Sequence, residues 1–504
     1  MKMNTLLLVL GITCLHVTVG FKSFKPLSYI QLPTSLNSNS EVFGGLDLKA
    51  SEGAAYDPVN SILYVIGSTS HLMHAIDIID PANPVRLFKH RFTIGEGVPQ
   101  AIDVCRGEIA VALSAQTDTN EGHVRFYRTY TRGSGATDVV QIGYVAVGSH
   151  PQDIKYTPDC RRVVVTNEGS AGKDEGGAYI DPEGSVTIIE DERTGNPSVQ
   201  QVDFLKYNVE QPNFDMRIRT PSLYIPKSVY NGDTTVAQDL EPERITISSD
   251  GRTAWVTLQE NNAIASVDIR NGTVTSVIPL PRKNWQNIGV DVSDRDGGVH
   301  RRTYPGLQSL RQPGAIAEFE IGSTKFLVTA DAGGIKQYTA AQHGFTWSDS
   351  AVAKTIAAQI ANANLKINAS DDEFLGRLLI STVDGKNAFT GLYSHLEMFG
   401  GRGFSIWDTN NPAAPVYDTD GTHEIYMEGF YKPVFNTDYV KATAAYTSPE
   451  MNRDFASEFQ GAHVSAIDVA NDNGTVLLVA GTWSYWHVVS VHGGHEYRSA
   501  CPTV

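Results

Sequence analysis

Along most of the chain, apolar and polar positions alternate in short runs, and Gly, Asp or Asn turns interrupt them at intervals of about 8–12 residues. This pattern predicts antiparallel strands joined by turns. One unit recurs: a turn with a small residue or Pro, a short strand, a polar turn, then a β-branched strand. It reads SEGAAYDPVNSILYVIG from Ser51, VPQAIDVCRGEIAVALS from Val98 and HPQDIKYTPDCRRVVVTNEG from His150. It returns as EPERITISSDGRTAWVTLQE from Glu241, QPGAIAEFEIGSTKFLVTAD from Gln312 and QGAHVSAIDVANDNGTVLLVAG from Gln460. The pair GRLLISTVDG and RGFSIWDTNN keeps the rhythm without the opening turn and makes a seventh unit. Closing strands are of the type SVTIIE, AIASVDI and FSIWDT. Helical spacing appears only over Ala351–Leu365, which predicts one short surface helix.

Units of about 45–50 residues, each with several strands, are the signature of propeller blades. The expected fold is therefore all-β, a seven-bladed β-propeller of four-stranded antiparallel blades. FKPLSYIQL near the N-terminus is the candidate to complete the last blade. Two stretches break the period, residues 203–240 and 338–375, and are expected as polar surface insertions. The competing reading is a two-domain chain split near residue 210.

Composition narrows the class. Of 504 residues, 41% are hydrophobic and 19% charged, as in a well-cored globular protein. The 56 acidic against 40 basic side chains give −16. That balance argues against nucleic acid, which needs clustered Lys and Arg, and favours cations or mineral surfaces presenting them. Lys2 precedes the apolar run LLLVLGITCLHVTV, and Thr18 and Gly20 precede Phe21. This is the order of a secretory signal peptide over residues 1–20, too short to span a membrane. The tail HGGHEYRSACPTV carries no hydrophobic anchor signal, so the mature chain, residues 21–504, is expected as secreted, with neither a transmembrane segment nor a lipid anchor. Cys14 leaves with the signal; Cys105, Cys160 and Cys501 remain, with their pairing open. Sequons at Asn271, Asn368 and Asn473 are expected glycan sites.

The runs Arg162–Thr166 and Ser185–Glu190 enclose a loop far longer than an ordinary hairpin turn. It holds Asn167, Glu168, Asp174, Glu175, Asp181 and Glu183. Carboxylates and carbonyls on a Gly-bearing backbone are what Ca²⁺ binds, although EF-hand spacing is absent. A solvated loop is the alternative. Asp291, Asp294 and Asp296 before Gly297 and Gly298 form a second acidic turn with the same two readings. Glu241, Glu243, Gln259 and Glu260 flank strand ends expected to meet at one mouth of the ring. His487, His492, His495 and Glu496 form a lone His cluster that reads as a turn after the last strand rather than a zinc site. GGRGFS reads as a hairpin turn, and no G-x-S-x-G nucleophile motif occurs.

Five segments then stand in a specific order: TNEG…YIDPEGSVTIIE, EPERITISSDGRTAWVTLQENNAIASVDI, DVSDRDGG, QPGAIAEFEI…FLVTAD and GGRGFSIWDT. Together they resemble the mesenchyme-specific cell surface glycoprotein family and its bacterial relatives with the choice-of-anchor I domain, over roughly residues 45–485. The resemblance implies a seven-bladed propeller. In animals it implies a secreted glycoprotein of a calcified shell or skeletal matrix, with calcium carbonate mineral or matrix components as partners. Bacterial members often sit near phosphatases, or are described as such. Where the family has an Asn-Glu-Gly-Asp run, this chain reads TADAGGIKQY; Asp331 persists beside Ala332, Gly333 and Gly334. The family's acidic segment near the end is here SEFQGAHVSAIDV, with Glu458 as the remnant. The expectation is an acidic glycoprotein that binds calcium or mineral without catalysis. The alternative is an alkaline phosphatase-like, metal-dependent phosphoesterase with Glu168, Glu260 and Asp331 as ligands.

Overall fold

The computed structural model describes residues 27–33, 35–37, 40–42, 51–190, 197–431, 435–436, 454, 456–459, 461–472, 475–482, 486–492 and 496–500. Six four-stranded antiparallel sheets follow one another along the chain. The first runs from Gly53–Asp57 to Val85–Arg91, the second from Val98–Cys105 to Val140–Ser149, and the third from Pro151–Tyr156 to Ser198–Asp203. The fourth runs from Pro242–Ile247 to Thr273–Pro279. The fifth comprises Pro313–Ile321, Thr324–Asp331, Gly403–Asp408 and Tyr417–Asp418, and the sixth runs from Ala466–Asp472 to Glu496–Ala500. The first strand of each sheet contacts the first strand of the next, from the first sheet to the sixth. The result is an all-β, propeller-like succession of sheets packed face to face.

The reason lies in the period-two pattern. In the third sheet, Val163 and Val165 enter a core shared with Ala110, Ala112 and Phe126 of the second sheet. Between them Val164 enters the core shared with Ala254, Val256 and Leu258 of the fourth. Successive side chains of a strand point to opposite faces, so a run of β-branched residues apolar on both faces requires a sheet on each side.

Several expectations change. The pair read as a seventh unit is divided: Leu379–Ser381 lies elsewhere, and Gly403–Asp408 pairs with Thr324–Asp331 as the third strand of the fifth sheet. Local rhythm cannot reveal a partner some seventy residues upstream. Residues 24–26 of FKPLSYIQL lie outside the described residues, residues 27–33 carry no strand, and the sixth sheet draws all four of its described strands from beyond residue 465. The insertions also are not polar excursions. Phe204, Tyr207, Ile218, Val236 and Leu240 seal the core between the third and fourth sheets.

The second insertion contributes one strand, Ser350–Val352, to a five-stranded mixed sheet, in which Leu307–Leu310 runs parallel to Leu396–Phe399. That sheet has its own core around Trp285, Ile356, Leu365 and Leu396. The helix expected over Ala351–Leu365 is broken into a strand, Ser350–Val352, and short helices. Asn362 starts a new helix, Ala363–Ser370, by accepting from the backbone N–H groups of Asn364 and Leu365 at 3.0 Å.

Cys105 and Cys160 form a disulfide, Cα–Cα 5.8 Å, joining the end of the second sheet's first strand to a turn of the third. The signal segment 1–20, Asn473, His495 and Cys501 lie outside the described residues. His492 and Glu496, expected in a turn, pair across strands Trp486–His492 and Glu496–Ala500. Among the described residues no helix is long and apolar enough to cross a membrane.

Candidate functional site

In each sheet the start of the first strand lies beside the end of the second: Pro151 pairs with Asn167, and Pro242 with Leu258. Residues just outside these positions therefore gather at one end of the molecule. There Glu168, Glu241 and Glu260 line a single cavity of about 520 Å³. The second sheet adds Gln116–Thr119, and the insertion after Asp331 adds Ile335–Tyr338.

The long loop between Asn167 and Ser185 is folded, not loose. Its neck is pinched at Gly169, φ 74°, where a Cβ would lie 2.8 Å from the Glu183 carbonyl; only Gly fits both demands. Beyond the neck, Gly172–Lys173 and Tyr179–Ile180 form a small hairpin. Its tip is held by Asp174, whose Oδ1 accepts from the Ala178 N–H at 2.8 Å. The hairpin meets the other insertion across the cavity. His343 Nε2 lies 3.1 Å from the Ala171 carbonyl, and Lys173 Nζ donates to the carbonyls of Ala340 and Ala341 at 3.3 and 3.1 Å. These contacts roof the site.

The predicted residues of this loop thus separate. Glu168 faces the cavity, with Gln152 donating to its Oε2 and His150 Nδ1 3.3 Å away. Asn167 is fully buried, donating to Ser185 Oγ at 3.2 Å and Thr187 Oγ1 at 2.9 Å, a strand-linking role. Asp181 sits behind the cavity beside Tyr179, its carboxyl pushed up to about 7 mainly by burial. Glu183 is exposed.

One cation dominates the wall. Lys336 is buried and ion-paired with Glu241. Burial opposes its charge, but Glu241 and its neighbours outweigh this and hold the ammonium well above its usual range. Glu260 is pushed up to about 7, by burial first, with Lys336 opposing and the Glu168 charge adding. Glu241 and Glu243 shift the same way, through burial first and then repulsion from Glu168 and Glu260. Glu243 and Glu260 keep some accessible surface while protein surrounds them closely, as on the wall of an internal opening. Gln259 faces the glycine turn instead, donating to the Gly333 carbonyl at 2.6 Å.

Asp331 does not join this set. It is fully buried, 3.0 Å from Arg311 Nη1, and accepts from Ser405 Oγ at 2.6 Å; Arg311 also pairs with Asp418. The second acidic turn disperses too. Asp291 turns inward to Asn436, which donates at 3.0 Å, and to Ser457, which donates at 3.1 Å. Asp294 pairs with Arg377 at 2.6 Å and Asp296 with Arg302 at 2.6 Å. Among the described residues no three His, Cys, Asp or Glu side chains are grouped to hold a metal ion. Most of the carboxylates assigned to calcium from sequence have a cationic or amide partner within the protein. Lys336, His150 and Tyr338 were missed as wall residues; Lys336 and Tyr338 become so only when the loop after Asp331 folds back, and His150 by opening the strand whose partner ends at Glu168.

Of the sequons, Asn271 lies in an exposed turn between Ala263–Asp268 and Thr273–Pro279, whereas Asn368 is half-buried inside the helix Ala363–Ser370.

The profile of the choice-of-anchor I domain family matches residues 52–492. The mesenchyme-specific cell surface glycoprotein of Strongylocentrotus purpuratus is 27% identical over 318 residues, 58% of this chain and 40% of that protein. The chain thus matches less than half the length of that relative. Among solved structures, the WD40 domain of Toxoplasma gondii coronin aligns over 95% of this chain and 73% of its own, at 11% identity and TM-score 0.40. A putative 6-phosphogluconolactonase from Bacteroides fragilis aligns over 47% and 59%, at 13% identity and TM-score 0.30. Neither structural likeness carries an argument about function.

Proposed function

This chain belongs to the choice-of-anchor I domain family, and from that premise we propose that it is a secreted, non-catalytic acidic glycoprotein held in a calcified extracellular matrix of shell or skeletal type. The observation that carries the non-catalytic reading is the separation of the carboxylates. Asp331 is bound to Arg311 in one buried network, while Glu168 and Glu260 line another site. A metal-dependent phosphoesterase needs its ligands and substrate-activating metal in one place. The extracellular reading is supported by the Cys105–Cys160 disulfide, which persists in oxidising compartments, and by the exposed Asn271 sequon. The name of the Strongylocentrotus purpuratus relative, a cell surface glycoprotein, points the same way. Calcium or carbonate mineral is contacted through dispersed surface carboxylates, consistent with a charge of −16, and not through a cage. The propeller itself is read as seven units, six of them four-stranded sheets and the seventh the five-stranded sheet.

Proteomics of a cleaned, demineralised shell or skeletal matrix tests the proposal; the chain is expected in the mineral-released fraction. Recovery only from soft-tissue fluid refutes it. Phosphate release by the full chain with divalent metals, abolished in Glu168→Ala, would instead establish the phosphoesterase.

A further inference from the structure

The roofed cavity has no task in a matrix protein that meets mineral through its outer surface. Its wall carries Asp118, Glu168, Glu241 and Glu260 against two lysines. Both lysines are already engaged, Lys173 by the carbonyls of Ala340 and Ala341 and Lys336 by Glu241. Glu260 Oε2 is a sealed oxygen with no hydrogen-bond partner among the described residues. A buried acceptor left unmatched is destabilising, and in a native protein such a group calls for a water, an ion or a ligand.

We propose that this cavity binds a small organic cation, an alkylammonium or guanidinium compound, with Glu260 as its principal anion and Glu168 as a second contact. Three observations select that class. The carboxylates are too dispersed for direct coordination of one metal ion, whereas the N–H groups of an amine or guanidinium span several ångströms. The volume, about 520 Å³, lies in the range of small-molecule pockets, about 300–1,000 Å³. The charge excess is real: burial first, and then the Glu168 charge, push both Glu241 and Glu260 toward the protonated form, which a bound cation would reverse. A neutral polyol would find hydrogen bonds here but leave that excess uncompensated. Tyr338 adds an aromatic ring to the wall, its hydroxyl oriented by Ser222 at 2.8 Å. The roof contacts between the two loops preform the site, which limits the ordering cost of binding. The inference stands apart from the matrix reading, and either survives failure of the other.

Titration calorimetry of the full secreted chain tests it, with cadaverine, agmatine, neutral pentanediol and calcium chloride as probes. Cadaverine or agmatine is expected to bind near neutral pH with proton release, seen as a buffer-dependent enthalpy, while pentanediol does not bind. Glu260→Gln weakens that binding about tenfold or more and removes the proton release. A thermal melt verifies folding of the variant, and Glu168→Gln, with a smaller expected loss, stands in if it fails. Three results overturn the proposal: neither cation binds, pentanediol binds equally well, or calcium displaces the amine and is itself lost in Glu260→Gln.

Discussion

Glu260→Gln also makes a quantitative statement about stability that needs no ligand. The folded carboxyl titrates near 7 against an ordinary 4.5, so between those values the folded protein holds a proton that the unfolded chain has released. Its contribution to stability is therefore fully present below pH 4.5 and lost as pH rises through about 7. Each pKa unit corresponds to about 1.4 kcal/mol, so the loss approaches ~3 kcal/mol. That figure is a ceiling, because the side chain keeps some contact with solvent and its interactions are screened. Gln keeps the shape and never ionises, and Lys336 retains Glu241 as its partner. Thermal and urea unfolding of both proteins at pH values from 4.5 to 8 is the assay. The variant should match the parent at the acid end, gain steadily from about pH 4.5 to pH 7, and level off above that at up to ~3 kcal/mol. A difference that is flat with pH, or a parent more stable at pH 8, would refute the assignment of excess negative charge to this wall.

Other outcomes follow from the packing. Leu258→Ala, at a fully buried position between the third and fourth sheets, should cost ~2–5 kcal/mol in urea unfolding. Cys105→Ser opens a loop of 55 residues' separation and should lower stability by about 4 kcal/mol on the chain-entropy relation. The parent melted with a reductant should reproduce that loss. Asn271→Gln should increase electrophoretic mobility of the secreted protein by one glycan, and Asn368→Gln should leave it unchanged, because the latter side chain is half-buried in a helix.

The sheets were readable because their evidence is local. Ser51, Val98, His150, Glu241, Gln312 and Gln460 each open a stretch in which β-branched alternation and turn residues agree, and each of these stretches holds the first two strands of a four-stranded sheet. What failed depends on partners far away in the chain. Gly403–Asp408 joins a strand across the whole insertion, and no periodicity encodes that. Asp331 looked like a free ligand because Arg311, twenty residues earlier, and Ser405, seventy-four later, are invisible as neighbours in one dimension. Glu241 and Glu260 were legible as neighbours for the opposite reason: one opens a repeated unit and the other follows its second strand, ends that lie side by side; Glu168 holds the second place in the preceding unit but was read with its own loop. The insertions were misjudged since their apolar residues, such as Phe204, Tyr207 and Ile218, are spaced without strand or helix rhythm yet reach the same core.

The clasp between Ala171–Lys173 and Ala340–His343 spans 167 positions of sequence. It starts from the third sheet and ends on the insertion of the fifth, passing over the fourth. Two distant stretches of backbone thus hold one side of the chamber together, and trimming either one loosens the other. The shape of that side is thereby set by a joint that no single module owns.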